Sequence, residues 1–301
     1  MTRKKRVRLL GDVIGFLVAG TIFVVPFIFM LVSSLKERRE ANLLQLSLPK
    51  VFQWENYLEV IKANNYLLIR SFKNSAVLTA GSVVLLIVVC SMAGYVLQRR
   101  RDRLTGIANS IILSGLMVPP AILPTIWVMK GLHLYKTLPG MMLIECALQI
   151  PFTIMLYRGF VGSIPLELEE AGYIDGCTRT QMFTKIILPL LKPVTSTVII
   201  LNAVAVFNDF TNPLYFLPGT KNATIQLTLF NFIGRYSSSY NLLFANVIMI
   251  TLPMLVLFLF VAVITVTSGL MYQVINPAFE HLTGLVSWYW AVRSKDNLVL
   301  D

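Results

Sequence analysis

Six long apolar stretches, separated by shorter polar segments, dominate the hydrophobic pattern of the chain. Each holds roughly the 20 residues that an α-helix needs to cross a bilayer. Helices are expected because a spanning segment must satisfy its backbone hydrogen bonds within itself. The pattern predicts an all-α integral membrane protein with a single transmembrane domain over residues 1–301. The six predicted spans cover residues 10–32, 75–97, 107–129, 140–160, 194–216 and 243–268.

The composition agrees with a chain that lies in the bilayer. Of the 301 residues, 56% are hydrophobic and 14% are charged, whereas soluble domains carry about 25% charged residues. The chain begins with the basic sequence MTRKKRVRLL and continues into an apolar stretch. This stretch is longer than the roughly 7–15 apolar residues of a signal peptide, and no A-x-A cleavage site follows it. We therefore expect the first span to be a retained signal-anchor helix.

Three prolines fall close together inside the third predicted span, in the sequence MVPPAILP at residues 117–124. Proline removes a backbone donor and clashes with the preceding turn, so it breaks or kinks a helix. Non-helical backbone at membrane depth is tolerated where it is buried in protein or lines a cavity. We predict that the third helix is broken near its middle.

The orientation follows from the distribution of Lys and Arg, which collect on the cytoplasmic side of membrane proteins. Five basic residues lie in the first ten positions, and the short sequence RRRDR at 99–103 holds four more. Both termini and the loop at 161–193 are then predicted to be cytoplasmic. This topology explains the net charge of +11. Nucleic-acid binding is disfavoured, because no soluble basic domain is present to carry it.

The loop between the fourth and fifth spans is acidic and has the pattern of two short helices. Ser163 precedes Pro165 and is predicted to cap the first helix. The early turns of that helix hold three carboxylates, which the positive end of a helix favours. A chain reversal is expected at Asp175 and Gly176, followed by a second helix with one apolar stripe. The carboxylates are Glu167, Glu169 and Glu170, and the stripe is Phe183, Ile186 and Ile187.

The sequence from Glu170 to Pro189, E-A-G-x-x-D-G-C-x-x-x-x-x-F-x-x-I-x-L-P, resembles the EAA loop of ABC importer permeases. Gly172 stands where the family usually has a second alanine, and Cys177 stands at a position of small residues. The sequence NDFTNPLYF at 208–216 resembles a motif of the smaller permease subunit of carbohydrate importers of the maltose-transporter type. The position of the loop, between the fourth and fifth of six helices, also matches that family.

This resemblance implies the permease subunit of an ATP-driven importer for sugars, notably oligosaccharides, in the bacterial inner membrane. Its partners would be a second permease, two ATPase subunits, an extracytoplasmic solute-binding protein and the carbohydrate. The first short helix of the loop would dock on an ATPase subunit, with Ala171 and Gly172 permitting close approach and Phe183 anchoring the second helix. The residues to which the resemblance assigns coupling are Glu167, Glu169, Glu170, Ala171, Gly172, Asp175, Gly176 and Phe183.

Polar residues within the fifth predicted span are candidates for a functional role, because such residues are costly in a bilayer. The substrate-pathway candidates are Asn208, Asp209, Phe210 and Asn212. For Asp209, a direct contact with substrate and a hydrogen bond that packs or gates the helices both remain open. For Glu145, in the fourth span, the alternatives are proton coupling, a subunit interface and a position near the outer surface.

Catalysis by this chain alone is not expected. His133 and His281 are the only histidines, and their predicted positions on opposite sides of the membrane disfavour a metal site. No G-x-x-x-x-G-K-[ST] loop occurs, so ATP and Mg are expected on the partner ATPases. An ion-coupled secondary transporter working alone is the main alternative, although no inverted repeat supports it. A membrane-embedded enzyme would need an acidic or metal constellation, and none is found. The tail at 270–301 departs from the family, and its aromatic residues suit an interfacial belt or insertion toward the ATPases.

Overall fold

The computed structural model describes residues 3–117, 119–232, 239–256 and 259. The chain divides into two compact units, Met1–Met254 and Leu255–Asp301, and the helices that position the loop belong to the first. The tail at 270–301 and the end of the sixth predicted span lie outside the described residues.

Every regular element in the described part of the chain is a helix, in agreement with the predicted all-α class. The first half contributes α1 (Arg3–Ser34), α2 (Arg38–Ala41), α3 (Glu55–Arg99), α4 (Arg103–Ser114), α5 (Ile122–Gly131) and α6 (Leu138–Gly162). The second half contributes α7 (Glu167–Ile174), α8 (Arg179–Gln181), a π-helix (Met182–Ile187), α9 (Leu188–Leu190), α10 (Lys192–Asn208), α11 (Thr211–Phe216), a 3₁₀ helix (Ile225–Phe232) and α12 (Tyr240–Val256).

Among the described helices, α3 and α6 are each long and apolar enough to cross a membrane. A third span results if the helical segment Arg179–Leu190 and α10, which meet at a bend of 72°, are counted together. The apolar helices Gly20–Ser34 and Tyr240–Val256 are shorter. The chain therefore has helices suited to a bilayer, and the count of six spans stays a prediction.

The third predicted span is broken where its prolines occur. α4 ends at Ser114 and α5 begins at Ile122, so Pro119 and Pro120 lie between the two helices. Pro124 lies in the first turn of α5, where a backbone N–H would have no partner within the helix. The break predicted from MVPPAILP is therefore confirmed.

The second predicted span is part of a longer helix than the hydrophobic pattern indicated. α3 begins at Glu55, well before the predicted start at residue 75. It is interrupted by non-helical backbone at Ala63–Tyr66, where Ala63 is extended and the next three residues have positive φ. The polar residues before 75 indicated a loop. They form helix instead, because the segment buries an apolar side that includes Val60 and Leu68.

The fifth predicted span, residues 194–216, is two helices rather than one. α10 ends at Asn208, and the Asp209 carboxylate accepts hydrogen bonds from the backbone N–H groups of Thr211 (3.0 Å) and Asn212 (3.3 Å). An aspartate that bonds the N–H groups of the next residues starts a helix more readily than it continues one. The apolar residues on either side concealed this break in the sequence.

An apolar core forms where α3, α6, the π-helix and α10 meet. Cys90 of α3, Tyr157 of α6, Met182 of the π-helix and Val198 of α10 are fully buried in it. The backbones of α3 and α6 approach closely, because a Cβ atom added to Gly94 would lie 2.7 Å from the Cβ of Tyr157. The acidic loop is therefore packed into the same core as the long apolar helices.

Candidate functional site

The first helix of the acidic loop, α7, carries all three predicted carboxylates in its first turn. Its N-cap residue, Leu166, has helical φ and ψ and offers no side-chain acceptor. The carboxylates therefore supply the negative charge that the positive end of the helix favours. The prediction that Ser163 caps this helix was wrong. Its hydroxyl donates to the carbonyl of Phe160 at 2.7 Å, because α6 extends to Gly162 and takes Ser163 into its own end.

Glu169 points inward from α7 and binds the end of α3. Its carboxylate accepts a hydrogen bond from Nε of Arg99 at 2.6 Å and another from the Tyr95 hydroxyl at 2.7 Å. Arg99 also donates from Nη2 to the carbonyl of Ile164, just before α7, at 2.8 Å. The side chains of Arg99 and Glu169 are only 16% and 8% exposed. The first turn of α7 is thus tied to α3 by an ion pair that solvent barely reaches.

Gly172 provides a second attachment on the same inward face of α7. A Cβ atom at this position would lie 2.7 Å from the terminal methyl groups of Met182 and Ile186. Gly172 is itself buried, so α7 lies directly on the second part of the loop. The close approach that the resemblance assigned to an ATPase contact at Gly172 is, in this structure, a contact within the loop.

α7 ends in a Schellman motif, which reverses the chain. Gly176 has a φ of +78°, a conformation that glycine adopts without strain. Its N–H donates to the carbonyl of Tyr173 at 3.1 Å, and the N–H of Cys177 donates to the carbonyl of Gly172 at 2.9 Å. These two bonds satisfy carbonyl groups that a helix end leaves free. The reversal predicted at Asp175 and Gly176 is present.

The second part of the loop is centred on the π-helix rather than on an α-helix. Met182 and Ile187 are fully buried, while Phe183 and Ile186 pack partly buried against the same core. The ring of Phe183 lies 5.6 Å from that of Tyr95. The predicted stripe omitted Met182, because a π-helix has more residues per turn than the α-helical period assumes.

The outward face of α7 combines carboxylates with exposed apolar atoms. Residues at helical spacing on this face, Glu167, Glu170, Ala171 and Ile174, are solvent-exposed, and Ile174 is 86% exposed. The sequence prediction omitted Ile174, although its spacing from Glu167 and Glu170 places it on their face. Ile174 thus adds an exposed apolar side chain to the charged face of α7.

The eight predicted coupling residues are therefore divided between two faces and a turn. The outward residues are Glu167, Glu170, Ala171 and Asp175, the inward residues are Glu169, Gly172 and Phe183, and Gly176 makes the turn. Sequence reasoning missed Tyr95 and Arg99, which hold Glu169, because nothing in their local pattern indicates a partner some 70 residues away.

The four substrate-pathway candidates lie together at the junction of α10 and α11, apart from the loop in sequence. The carboxylate of Asp209 accepts a further hydrogen bond from the side-chain amide of Asn212 at 2.7 Å. The side-chain oxygen of Asn208 accepts one from Gln226 at 3.2 Å. The polar groups of this junction thus hold the ends of α10 and α11 in place.

Phe210 at the same junction contacts Phe230, with ring centroids 5.2 Å apart. Glu145 of α6 is 2% exposed and lies beside Asp209. Within residues 3–117, 119–232, 239–256 and 259, no three His, Cys, Asp or Glu side chains are grouped to hold a metal ion.

Comparison with known proteins gives consistent results. A family model described as "Binding-protein-dependent transport system inner membrane component" matches residues 86–281. The melibiose/raffinose/stachyose import permease protein MelC of Bacillus subtilis (strain 168) is 32% identical over 260 residues, which cover 85% of this chain and 92% of MelC. The probable starch degradation products transport system permease protein AmyC of Thermoanaerobacterium thermosulfurigenes is 30% identical over 248 residues, which cover 82% of this chain and 89% of AmyC.

The fold is also shared with a solved structure. A chain in the crystal structure of a bacterial ABC transporter involved in the import of the acidic polysaccharide alginate superposes with a TM-score of 0.77. The superposition covers 87% of this chain and 98% of that chain at 20% sequence identity.

Proposed function

Since the chain belongs to the family of binding-protein-dependent transport system inner membrane components, we propose that it is a permease subunit of an ABC importer for sugars. Relatives named for melibiose, raffinose and stachyose import and for starch degradation products support oligosaccharides as the substrate class. The partners are a second permease, two ATPase subunits and an extracytoplasmic solute-binding protein. ATP and Mg are bound by the ATPases, and the sugar crosses between the permeases.

The observation that carries this proposal is that α7 is attached to the protein on one face and exposed on the other. Its inward face is fixed to α3 through Glu169 and Arg99, and to the π-helix through Gly172. Its outward face, including Ile174, is exposed. A helix that is tied to the membrane helices on one side and free on the other can transmit a displacement from an external partner.

The mechanism follows from that geometry. When ATP closes the ATPase dimer, the outward face of α7 moves with the ATPase on which it is docked. Because the ion pair and the buried contact at Gly172 resist separation, α3 and the core around Met182 and Tyr157 move with α7. The packed helices have discrete arrangements, so the displacement switches the transporter from inward-facing to outward-facing. ATP drives the switch because the closed ATPase dimer binds it better than the open one does.

The proposal includes the topology and the pathway. Six helices span the membrane, both termini and the loop at 161–193 are cytoplasmic, and Asn208, Asp209, Phe210 and Asn212 lie along the substrate pathway or hold its helices together. A broken helix at membrane depth is permitted where it lines a cavity or is buried in protein. The breaks at 115–121 and at Asp209 suit a helix bundle that rearranges around a pathway.

The experiment is reconstitution of the full importer in proteoliposomes, with ATP hydrolysis and oligosaccharide uptake as the measurements. Wild-type importer is expected to hydrolyse ATP faster when sugar-loaded binding protein is added. Ile174→Asp is expected to weaken ATPase docking by about 2 kcal/mol or more, as for a central interface residue, which is about thirtyfold in Kd. Ile174→Val, which keeps the apolar surface, is the matched control and retains stimulation.

Two outcomes contradict the proposal. One is stimulation that survives both Ile174→Asp and Gly176→Asp, since the second variant forces a charged side chain into a φ of +78°. The other is sugar uptake by this chain alone that disappears in Glu145→Gln or Asp209→Asn, which is the behaviour of an ion-coupled secondary transporter.

A further inference from the structure

A cleft of about 600 Å³ opens between the end of α3 and the acidic loop, beside the Arg99–Glu169 ion pair. The coupling mechanism uses the outward face of α7 and the contacts of its inward face, and it assigns no role to this cleft. Residues from both sides line it, among them Tyr95, Arg99 and Arg100 of the α3 side and Tyr173, Arg179 and Phe183 of the loop.

The cleft is positively charged. Three arginines line it against one carboxylate, Glu169, which Arg99 already neutralises. Arg179 is exposed and makes no hydrogen bond or ion pair with any residue that the structure describes. Among the described residues, Arg100 forms an ion pair only with Asp102, at 3.7 Å, and both side chains are well exposed. Two guanidinium groups on opposite sides of the cleft are thus available, and guanidinium groups match the geometry of phosphate oxygens.

An apolar track on α3 leads into the cleft. Between residues 84 and 96 of α3, every fourth residue is an exposed apolar side chain, and each is between 42% and 60% exposed. Residues four apart lie on one face of a helix, and the next position in the series is Arg100. The track consists of Val84, Val88, Met92 and Val96, and the last two also line the cleft.

We propose that this cleft binds the headgroup of an anionic phospholipid of the cytoplasmic leaflet, with the phosphate between Arg100 and Arg179 and an acyl chain along the track. The proposal rests on the cytoplasmic placement of the loop in the proposed function. A basic cleft at the cytoplasmic end of a membrane helix is suited to anionic headgroups. A soluble anion would leave the apolar track without an occupant, whereas a phospholipid satisfies the charge and the track together.

The lipid also joins two parts of the coupling apparatus. Arg100 directly follows α3, and Arg179 is the first residue of α8, which comes after the turn that ends α7. A phosphate held by both would bridge the membrane helix and the loop next to the Arg99–Glu169 pair. Anionic lipid is therefore a specific component of this importer rather than only its solvent.

The test is native mass spectrometry of the intact importer complex, titrated with phosphatidylglycerol or with phosphatidylcholine of the same acyl chains. Wild type is expected to retain phosphatidylglycerol preferentially. The variant Arg100→Gln with Arg179→Gln is expected to bind it about tenfold to thirtyfold more weakly, as for two lost contacts between arginine and an anionic headgroup. The matched control is Arg101→Gln with Arg103→Gln, which removes the same charge from exposed positions outside the cleft and retains the lipid.

A second measurement keeps the inference testable if the arginine variants assemble poorly. A phosphatidylglycerol with a photoreactive group on its acyl chain is expected to crosslink the wild-type chain at residues 84–96. Equal binding of the two lipids, equal loss in both double variants, or crosslinking elsewhere overturns the proposal. Displacement by millimolar inorganic phosphate shows a free-anion site and overturns it as well. If the lipid binds the isolated chain but not the assembled importer, the second permease covers the cleft, and this outcome also overturns the proposal.

Failure of the lipid site can be distinguished from failure of the proposed function. If the lipid binds as described but stimulation of ATP hydrolysis survives both Ile174→Asp and Gly176→Asp, the coupling role of α7 fails and the lipid site stands. If Ile174→Asp abolishes stimulation while phosphatidylglycerol binds no better than phosphatidylcholine, the lipid site alone fails.

Discussion

Removing the inward anchor of α7 should loosen the loop without unfolding the protein, and the effect can be measured locally. The substitution is Glu169→Ala, which leaves Nε of Arg99 and the Tyr95 hydroxyl without their acceptor. Breaking a buried ion pair by removing one partner destabilises by about 3–5 kcal/mol. The side chains of Arg99 and Glu169 are still 16% and 8% exposed, so solvent screens part of their attraction. We therefore expect Glu169→Ala to destabilise the attachment of α7 by about 3 kcal/mol, the low end of this range.

Amide hydrogen exchange of α7 is the assay, since exchange of a helix on the surface reports its local opening. A loss of about 3 kcal/mol in the opening free energy corresponds to exchange roughly 150-fold faster. Glu167→Ala is the matched control, because it removes the same charge from the same helix on the exposed face. Its exchange should remain close to that of wild type.

A double-mutant cycle separates the ion pair from general disruption. Arg99→Ala alone also frees the carbonyl of Ile164, so it should speed exchange at least as much as Glu169→Ala. The double variant should lose about 0.5–3 kcal/mol less than the sum of the two single variants, which is the range for residues in direct contact. Additive losses, or equal exchange in Glu169→Ala and Glu167→Ala, would refute the anchoring role.

Two further predictions concern glycines whose neighbours differ. Gly94→Ala should destabilise the protein by about 1–3 kcal/mol in thermal unfolding, because the added Cβ would lie 2.7 Å from the Cβ of Tyr157. Gly172→Ala should be tolerated, because its Cβ would meet the flexible ends of side chains. Equal midpoints of thermal unfolding for the two variants would contradict this prediction. Gly176→Ala should lower the free energy of unfolding by about 1–2 kcal/mol, because residue 176 has a φ of +78°. Gly159→Ala should be neutral or stabilising, because its Cβ would meet nothing within 4 Å. A larger loss of stability in Gly159→Ala than in Gly176→Ala would contradict the assigned turn.

The features that depend on local sequence were largely predictable. The proline break in the third span follows from Pro119 and Pro120, and the reversal at Asp175 and Gly176 follows from the ability of glycine to take a positive φ. The apolar stretches predicted the helical class, because the length of an apolar stretch is read directly from contiguous sequence. Family membership was likewise indicated by the spacing of the loop motif.

The features that depend on contacts distant in sequence were not predictable in the same way. The three glutamates of α7 look alike in sequence, and only the position of Arg99 and Tyr95 on α3 makes Glu169 an internal anchor. The π-helix changes the angle between successive side chains, so Met182 was missed. The predicted cap at Ser163 failed because α6 extends to Gly162 and ends at Ser163 itself. The boundary of a helix is decided by packing as much as by propensity.

In the proposed mechanism, the outward face of α7 touches an ATPase subunit. Site-directed crosslinking in the assembled importer tests it directly, with Ala171→Cys in a background whose own three cysteines are replaced. We predict a crosslink between position 171 and an ATPase subunit whose yield changes when ATP is bound. Thr220→Cys, exposed after α11 and on the proposed opposite side of the membrane, should give none. The absence of a crosslink from position 171 in a complex that transports sugar, or an equal yield from position 220, would contradict the account.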